Sequence, residues 1–162
     1  MRKILGIDPG LSGGLSVIDE RFNLVACYPM PTTVGEDGKR KVDPVAAFNL
    51  LSIYDIDLAV VEKVGARPGQ GVVSMFNFGD SYGVIRAVAA LVAKEVRFTR
   101  PQEWRGCQGL TGLSKEQIAE VAFEVFQAEA IYGRKTKTGA RAVKDGISDS
   151  QMIAKSGARL LE

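Results

Sequence analysis

The sequence predicts an α/β fold, a mixed five-stranded sheet flanked by helices, and three observations predict it. A short apolar run, Ile4, Leu5 and Ile7, stops at Asp8-Pro9-Gly10, and a strand pattern resumes at Ser16, Val17 and Ile18. This reads as strand, glycine turn, strand. Leu58-Ala-Val-Val61 is continuously apolar, as in a strand buried on both faces at the centre of an α/β sheet. Val84, Ala87, Val88, Leu91 and Val92 then recur at helical spacing, which predicts a long core helix.

Composition narrows the chemistry. The 162 residues fit one domain, 1–162, and a chain of this size buries roughly 68–70% of its unfolded surface. The apolar run Ala87–Ala93 is too short to span a bilayer and is flanked by charge, and the N-terminus lacks a signal-peptide pattern. A cytoplasmic protein is expected, with no membrane partner. Cys27 and Cys107 fit no metal-ligand spacing, and a reducing compartment accounts for them. The sequence has no His, which excludes Ser-His-Asp and Cys-His catalysis and the common zinc sites. Catalysis must rest on carboxylates, Lys, Tyr or Ser. The net charge of +2 is too small to identify a polyanionic partner, so the distribution of charge matters more.

The elements follow in order. Pro9 cannot donate to a ladder, and Gly10, Gly13 and Gly14 open a tight hairpin turn after the first strand. Asp8, at the strand tip beside bare backbone, is placed to hold a metal near a phosphate; Asp before Pro-Gly equally begins a turn. Phe22–Met30 reads as a third strand, and Thr32–Val42, with the basic run Lys39-Arg40-Lys41, as an exposed loop. Asp43-Pro44 opens a helix with Asp as N-cap and Pro in the first position. Glu62 ends the central strand, where ligand sites of such sheets gather, or forms a surface pair with Lys63. Gly65–Gly71 is glycine-rich but lacks the Lys and Ser/Thr of a phosphate-binding loop, so no nucleotide cofactor is expected. Phe76 and Phe78 stand near the start of the long helix, either as core residues or as stacking surfaces for unpaired bases.

Val96–Thr99 gives a fifth strand, and Pro101–Trp104 a turn or short helix. Ser114 and Gln117 form a capping box ahead of a helix carrying Ile118, Ala119, Val121, Ala122, Val125 and Phe126, with Lys115 in its exposed first turn. Tyr132–Lys144 contains Arg134, Lys135, Lys137, Arg141 and Lys144 and no acid. Its glycines predict a loop, and clustered basic charge suits phosphate contacts, a solvated loop being the plainer alternative. In the terminal helix Asp145 and Asp149 are four apart and share a face if the helix starts by Asp145; Asp145 ahead of Gly146 equally serves as an N-cap.

One strand-end Asp, one central-strand Glu and two Asp on a closing helix, in this strand and helix order, match a ribonuclease-H-like core. The chain resembles the RuvC family of Holliday junction resolvases, especially its phage-encoded branch. The resemblance rests on Gly6-Ile-Asp-Pro-Gly10, Val60-Val-Glu62, Met75-Phe-Asn-Phe-Gly79, Arg100-Pro-Gln-Glu-Trp104 and Asp145-Gly-Ile-Ser-Asp-Ser150. It covers nearly the whole chain and implies metal-dependent, structure-selective cleavage of branched DNA by a homodimer, with the preference among four-way junction, fork and flap left open. It implies that Asp8, Glu62, Asp145 and Asp149 bind metal, with Lys115 near the scissile phosphate. Cellular members place the third acid three residues before the last; here Gly146 stands there and Asp145 is adjacent.

Magnesium suits these residue types, because it takes oxygen ligands, and manganese can substitute. Two such ions activate a water and stabilise the leaving 3′ oxygen in two-metal nucleases, leaving a 5′-phosphate. Phe76, Phe78 and the basic segment are the expected DNA contacts, and the helix Val84–Val92 the expected dimer element. Two other classes fit less well. An actin-like or sugar-kinase ATPase normally needs two such domains and a second phosphate loop. A non-catalytic branched-DNA binder would show the loss of an acid, yet four acids are present, the third displaced by one residue to Asp145.

Overall fold

The computed structural model describes residues 1–66 and 68–159; Arg67, in the glycine-rich loop, and residues 160–162 lie outside them. β1 (Lys3–Asp8) and β2 (Gly14–Asp19) pair antiparallel around the glycine turn, which the Gly13 N–H closes by donating to the Gly10 carbonyl at 2.8 Å. β3 (Leu24–Pro29) continues the antiparallel meander. After two further short strands come α1 (Pro44–Leu51) and the central strand, Ile56–Glu62, which pairs parallel with β1.

The two short strands correct an expectation. Thr32–Val42 is a β-hairpin, β4 (Thr32–Val34) with β5 (Arg40–Val42), rather than an open loop. With the central strand as β6, the long helix is α2 (Val72–Val92), followed by the edge strand β7 (Ala93–Thr99) and the short α3 (Pro101–Gly106). α4 (Lys115–Phe126) starts at the expected Ser114–Gln117 capping box. The basic segment is likewise a hairpin, β8 (Tyr132–Lys135) with β9 (Arg141–Val143), ahead of α5 (Asp145–Ala158). Both hairpins are short and polar, so neither carries the alternation of a half-buried strand.

The sheet order is β3-β2-β1-β6-β7, antiparallel on one side of β1 and parallel on the other. One core lies on each face. Ile4, Ile18, Leu58 and Val60 pack with α4, α5 and Trp104. Leu5, Ile7, Val17, Ala59 and Val61 pack with α1 and α2. The alternation along β1 thus feeds both layers, as a central strand requires. α2 is longer than the periodicity suggests, and its buried face is Ser81, Ile85, Val88 and Ala89. Of the residues expected in its core, Leu91 is 73% exposed.

No helix among the described residues is long and apolar enough to cross a membrane.

Candidate active site

Three elements deliver the acids to one end of the sheet. β1 ends at Asp8 and the parallel β6 at Glu62, so both carboxylates leave the C-terminal edge of adjacent strands. α5 crosses behind β1 and β2 and brings Asp145 and Asp149 alongside. That crossing is unusually close. A Cβ on Gly6 would lie 2.0 Å from the Ser150 carbonyl oxygen, and one on Gly146 would lie 2.3 Å from that of Ser12. Inside the same contact the Ser16 and Ser150 hydroxyls share a 2.7 Å hydrogen bond.

Gly146 explains the displaced acid. Any side chain at 146 would enter the backbone of the Ser12–Gly13 turn, so an acid cannot stand there. Asp145, in the first turn of α5, points outward instead and pairs with Lys115. The α5 N-terminus is held by the Lys144 N–H, which donates to the Ile131 carbonyl at 2.7 Å.

The electrostatics tie the acids together. Burial, then repulsion from Glu62 and Asp145, pushes Asp8 from 3.8 up to about 6, although the Gly10 N–H opposes this by donating to its Oδ1. Burial and repulsion from Asp8 push Asp149 up to about 7, with Arg105 and its guanidinium pulling the other way. Lys115 is held above its ordinary value by its hydrogen bond to Asp145, with smaller attractions to Asp149 and Asp8. Asp8 and Asp149 are thus both raised by burial and by the acids around them.

The acids are also committed to protein partners. Glu62 Oε2 accepts from the Trp104 indole at 2.7 Å, Asp145 holds Lys115, and Asp149 Oδ2 lies 3.9 Å from Arg105 Nη2. Among the described residues, no three His, Cys, Asp or Glu side chains already stand in a metal-ligating arrangement. The donor set nonetheless fits a hard divalent cation. It consists of carboxylate oxygens, two of the groups bear repulsion that a cation would relieve, and the buried Asp149 Oδ1 has no hydrogen-bond partner.

The predicted DNA contacts divide. Phe76 projects from the first turns of α2 and is 77% exposed, whereas Phe78 is half-buried. Phe78 lines an open cleft together with Glu62, Lys63, Arg100 and Gln102. Arg134, Lys135, Lys137 and Lys144 are exposed. Arg141 is not a free cation: it donates to Glu129 at 2.6 Å and to the Gly133 carbonyl at 2.9 Å, and it stacks on Tyr132. It braces the hairpin. Arg40, read only as part of a loop, donates to the Leu11 carbonyl at 2.6 Å and pins the β4–β5 hairpin beside the Asp8 turn.

Sequence reasoning missed Trp104 and Arg105 as neighbours of the acids. The available signal was a lone tryptophan in a charged segment, Glu103-Trp104-Arg105, which marks a polar environment for an indole.

No protein-family model and no curated protein matches the chain. Among solved structures, the fold is similar to that of Thermus thermophilus RuvC in complex with a Holliday junction substrate. The TM-score is 0.65 at 18% identity, over 99% of this chain and 96% of that one. A second Thermus thermophilus RuvC structure gives a TM-score of 0.57 at 14% identity, over 98% and 96% of the two chains. The yeast mitochondrial Holliday junction resolvase gives 0.49 at 17% identity, over 98% and 78%. The likeness of fold to RuvC therefore spans nearly the whole chain.

Proposed function

We propose that the protein is a metal-dependent endodeoxyribonuclease that cuts branched DNA, with four-way junctions as its main substrate. The observation that carries this reading is the repelling carboxylate cluster, Asp8, Glu62, Asp145 and Asp149, at the strand ends of a RuvC-like fold. Asp8, Glu62 and Asp149 would hold the cation, with Asp145 beside them. Magnesium, two ions with manganese as substitute, would supply an activated water and charge stabilisation at the leaving 3′ oxygen.

The chain's own residues do the rest. The Asp8 and Glu62 carboxylates leave rigid, fully paired strands, so they keep their relative placement when DNA binds. Lys115 pairs with Asp145 and, with its side chain 67% exposed, would offer its remaining N–H groups to a phosphate oxygen. Arg134, Lys135, Lys137 and Lys144 neutralise backbone phosphates and set the salt dependence of binding. Phe76 offers an exposed ring on which an unpaired base at a branch point can stack.

Two active sites are needed to cut opposing strands of a symmetric junction, and an isologous dimer provides them. The apolar groove of Pro44, Val45, Phe48, Val84, Ala87 and Leu91 on α1 and α2 suits a second copy of the chain. Its exposed Val45 and Leu91 leave a patch that a monomer would keep in water at a cost.

The test compares cleavage of a four-way junction, a fork, a flap and plain duplex in magnesium or manganese. Metal-dependent cuts at the branch point, with plain duplex spared, are expected. Tight branched-DNA binding without cleavage in either metal would replace the nuclease reading with that of a non-catalytic binder.

A further inference from the structure

Trp104 is the chain's only tryptophan and is fully buried, yet its one polar atom faces the acids. A buried indole N–H needs an acceptor, and any nearby carbonyl would serve. Here the acceptor is Oε2 of Glu62, 42 residues away in sequence, at 2.7 Å. A hydrogen bond to an ionised carboxylate is the stronger kind, and it removes the rotational freedom of the group that accepts it.

Trp104 is itself held from several sides. Pro101 and the capping Glu103, which accepts from the Arg100 N–H at 2.7 Å, fix the start of α3. Gln108 Nε2 donates to the Trp104 carbonyl at 2.8 Å and to the Met152 carbonyl at 2.9 Å. Met152 lies three residues beyond Asp149 on α5. The guanidinium of Arg105, which faces Asp149, stacks on the indole at 4.9 Å. Trp104 is therefore tied to both elements, to the strand that carries Glu62 through its indole N–H and to the helix that carries Asp149 through its main-chain carbonyl and Gln108.

We infer that Trp104 is a positioning residue for the metal centre: its indole N–H fixes the Glu62 carboxylate through Oε2 and leaves the second oxygen, Oε1, to ligate a divalent cation. The inference rests on the nuclease reading for its biological meaning, but its physical content is metal binding alone. Hydrogen-bond partners of metal-ligating groups typically contribute 10–100-fold to metal affinity. Burial of the ring explains why the residue is large and apolar; only the bond to Glu62 explains why it must be a donor.

The lone tryptophan gives one indole N–H resonance, which reports on this bond without mutation. Magnesium is titrated into the wild-type protein without DNA, and that resonance is followed by NMR. It is expected to lie in the strongly hydrogen-bonded range, to shift saturably with magnesium, and to move toward the free-indole position in Glu62→Gln. Trp104→Phe keeps the ring and removes the donor. The magnesium concentration giving half of the metal-induced rise in Tm should increase about 10–100-fold in it, while four-way-junction affinity without metal stays as in the wild type. An indole resonance that ignores saturating magnesium overturns the inference, as does a Trp104→Phe variant with wild-type metal dependence. If Trp104→Phe does not fold, the wild-type titration decides alone. If the wild type cuts no branched DNA, the nuclease reading fails, and the titration still decides whether Trp104 serves a metal site.

Discussion

The two long helices on opposite faces of the sheet use their residues in opposite ways. In α5, 11 of 14 residues are buried, and those include Ser148, Ser150, Gln151 and Ser156. In α2, only four of 21 are buried, while Val72, Val73, Phe76 and Leu91 stand in solvent. α5 therefore buries polarity and α2 exposes apolarity, the reverse of an ordinary amphipathic surface helix. Buried polarity costs free energy unless it is paired, and in α5 the Ser150 hydroxyl is paired with that of Ser16 while Ser148 and Ser156 donate to carbonyls of their own helix. Exposed apolarity is the feature on which the proposed dimer and DNA contacts of α2 rest.

The strongest way to break this contrast is to neutralise the acids of the α5 side. Asp8→Asn, Glu62→Gln and Asp149→Asn should each lower cleavage roughly a thousandfold while junction binding persists, as read by nicking and gel-shift assays. Wild-type cleavage by Asp149→Asn would remove α5 from the site. Asp145→Asn should also be severe, through loss of the Lys115 pair as well as of charge.

Gly146→Ala tests the close approach itself. The added methyl would meet the Ser12–Gly13 backbone, so stability should fall by roughly 2–3 kcal/mol in urea unfolding. A neutral result would mean that the crossing of α5 over the glycine turn is looser than the structure has it.

A pH series reads the buried charge directly. Asp8 and Asp149 have folded pKa values raised from 3.8 to about 6 and about 7. The folded state thus holds these protons more tightly than the unfolded chain. Their stabilising contribution is full below about pH 4 and is lost as pH rises through 6 and 7. The metal-free protein should be less stable at pH 8 than at pH 5. Asp149→Asn should recover on the order of 2 kcal/mol at pH 8, about 4–8 °C in Tm. A flat Tm between pH 5 and 8 would show that the acids are not desolvated together.

On the α2 side, effects should fall on assembly and DNA rather than on folding. Leu91→Glu should convert a dimer into a monomer by light scattering and abolish paired symmetric nicks. Phe76→Ala should change stability by less than about 0.5 kcal/mol yet reduce junction cleavage. A large Tm loss in Phe76→Ala would return that ring to the core. The smallest effect is expected from the β8–β9 hairpin. Neutralising Arg134, Lys135 and Lys137 should weaken binding to every DNA form and lower the slope of log K against log salt by about 0.9 per lost contact. Arg141 should be left intact in that variant, since it braces the hairpin.

The sequence by itself determined what local chemistry determines. The apolar run into Asp8, the glycine turn, the buried strand to Glu62 and the N-caps Asp43 and Ser114 were all readable, because strand period, turn residues and capping act within a few positions. The four acids were each ambiguous alone, as turn, surface-pair or capping residues, and only their order along the chain and the family resemblance grouped them. The polar hairpins at 32–42 and 132–143 were not readable, because strands of three or four residues that anchor to the core through one or two side chains, such as Val42, Tyr132 and Val143, leave no alternating pattern. Contacts across the chain decided the rest. Trp104 reaches Glu62, Lys115 reaches Asp145, and Gly146 leaves room for the Ser12–Gly13 turn only once α5 has folded back over β1. The same packing buries Asp8 and Asp149 together, and so it decides that two ordinary carboxylates hold their protons toward neutral pH.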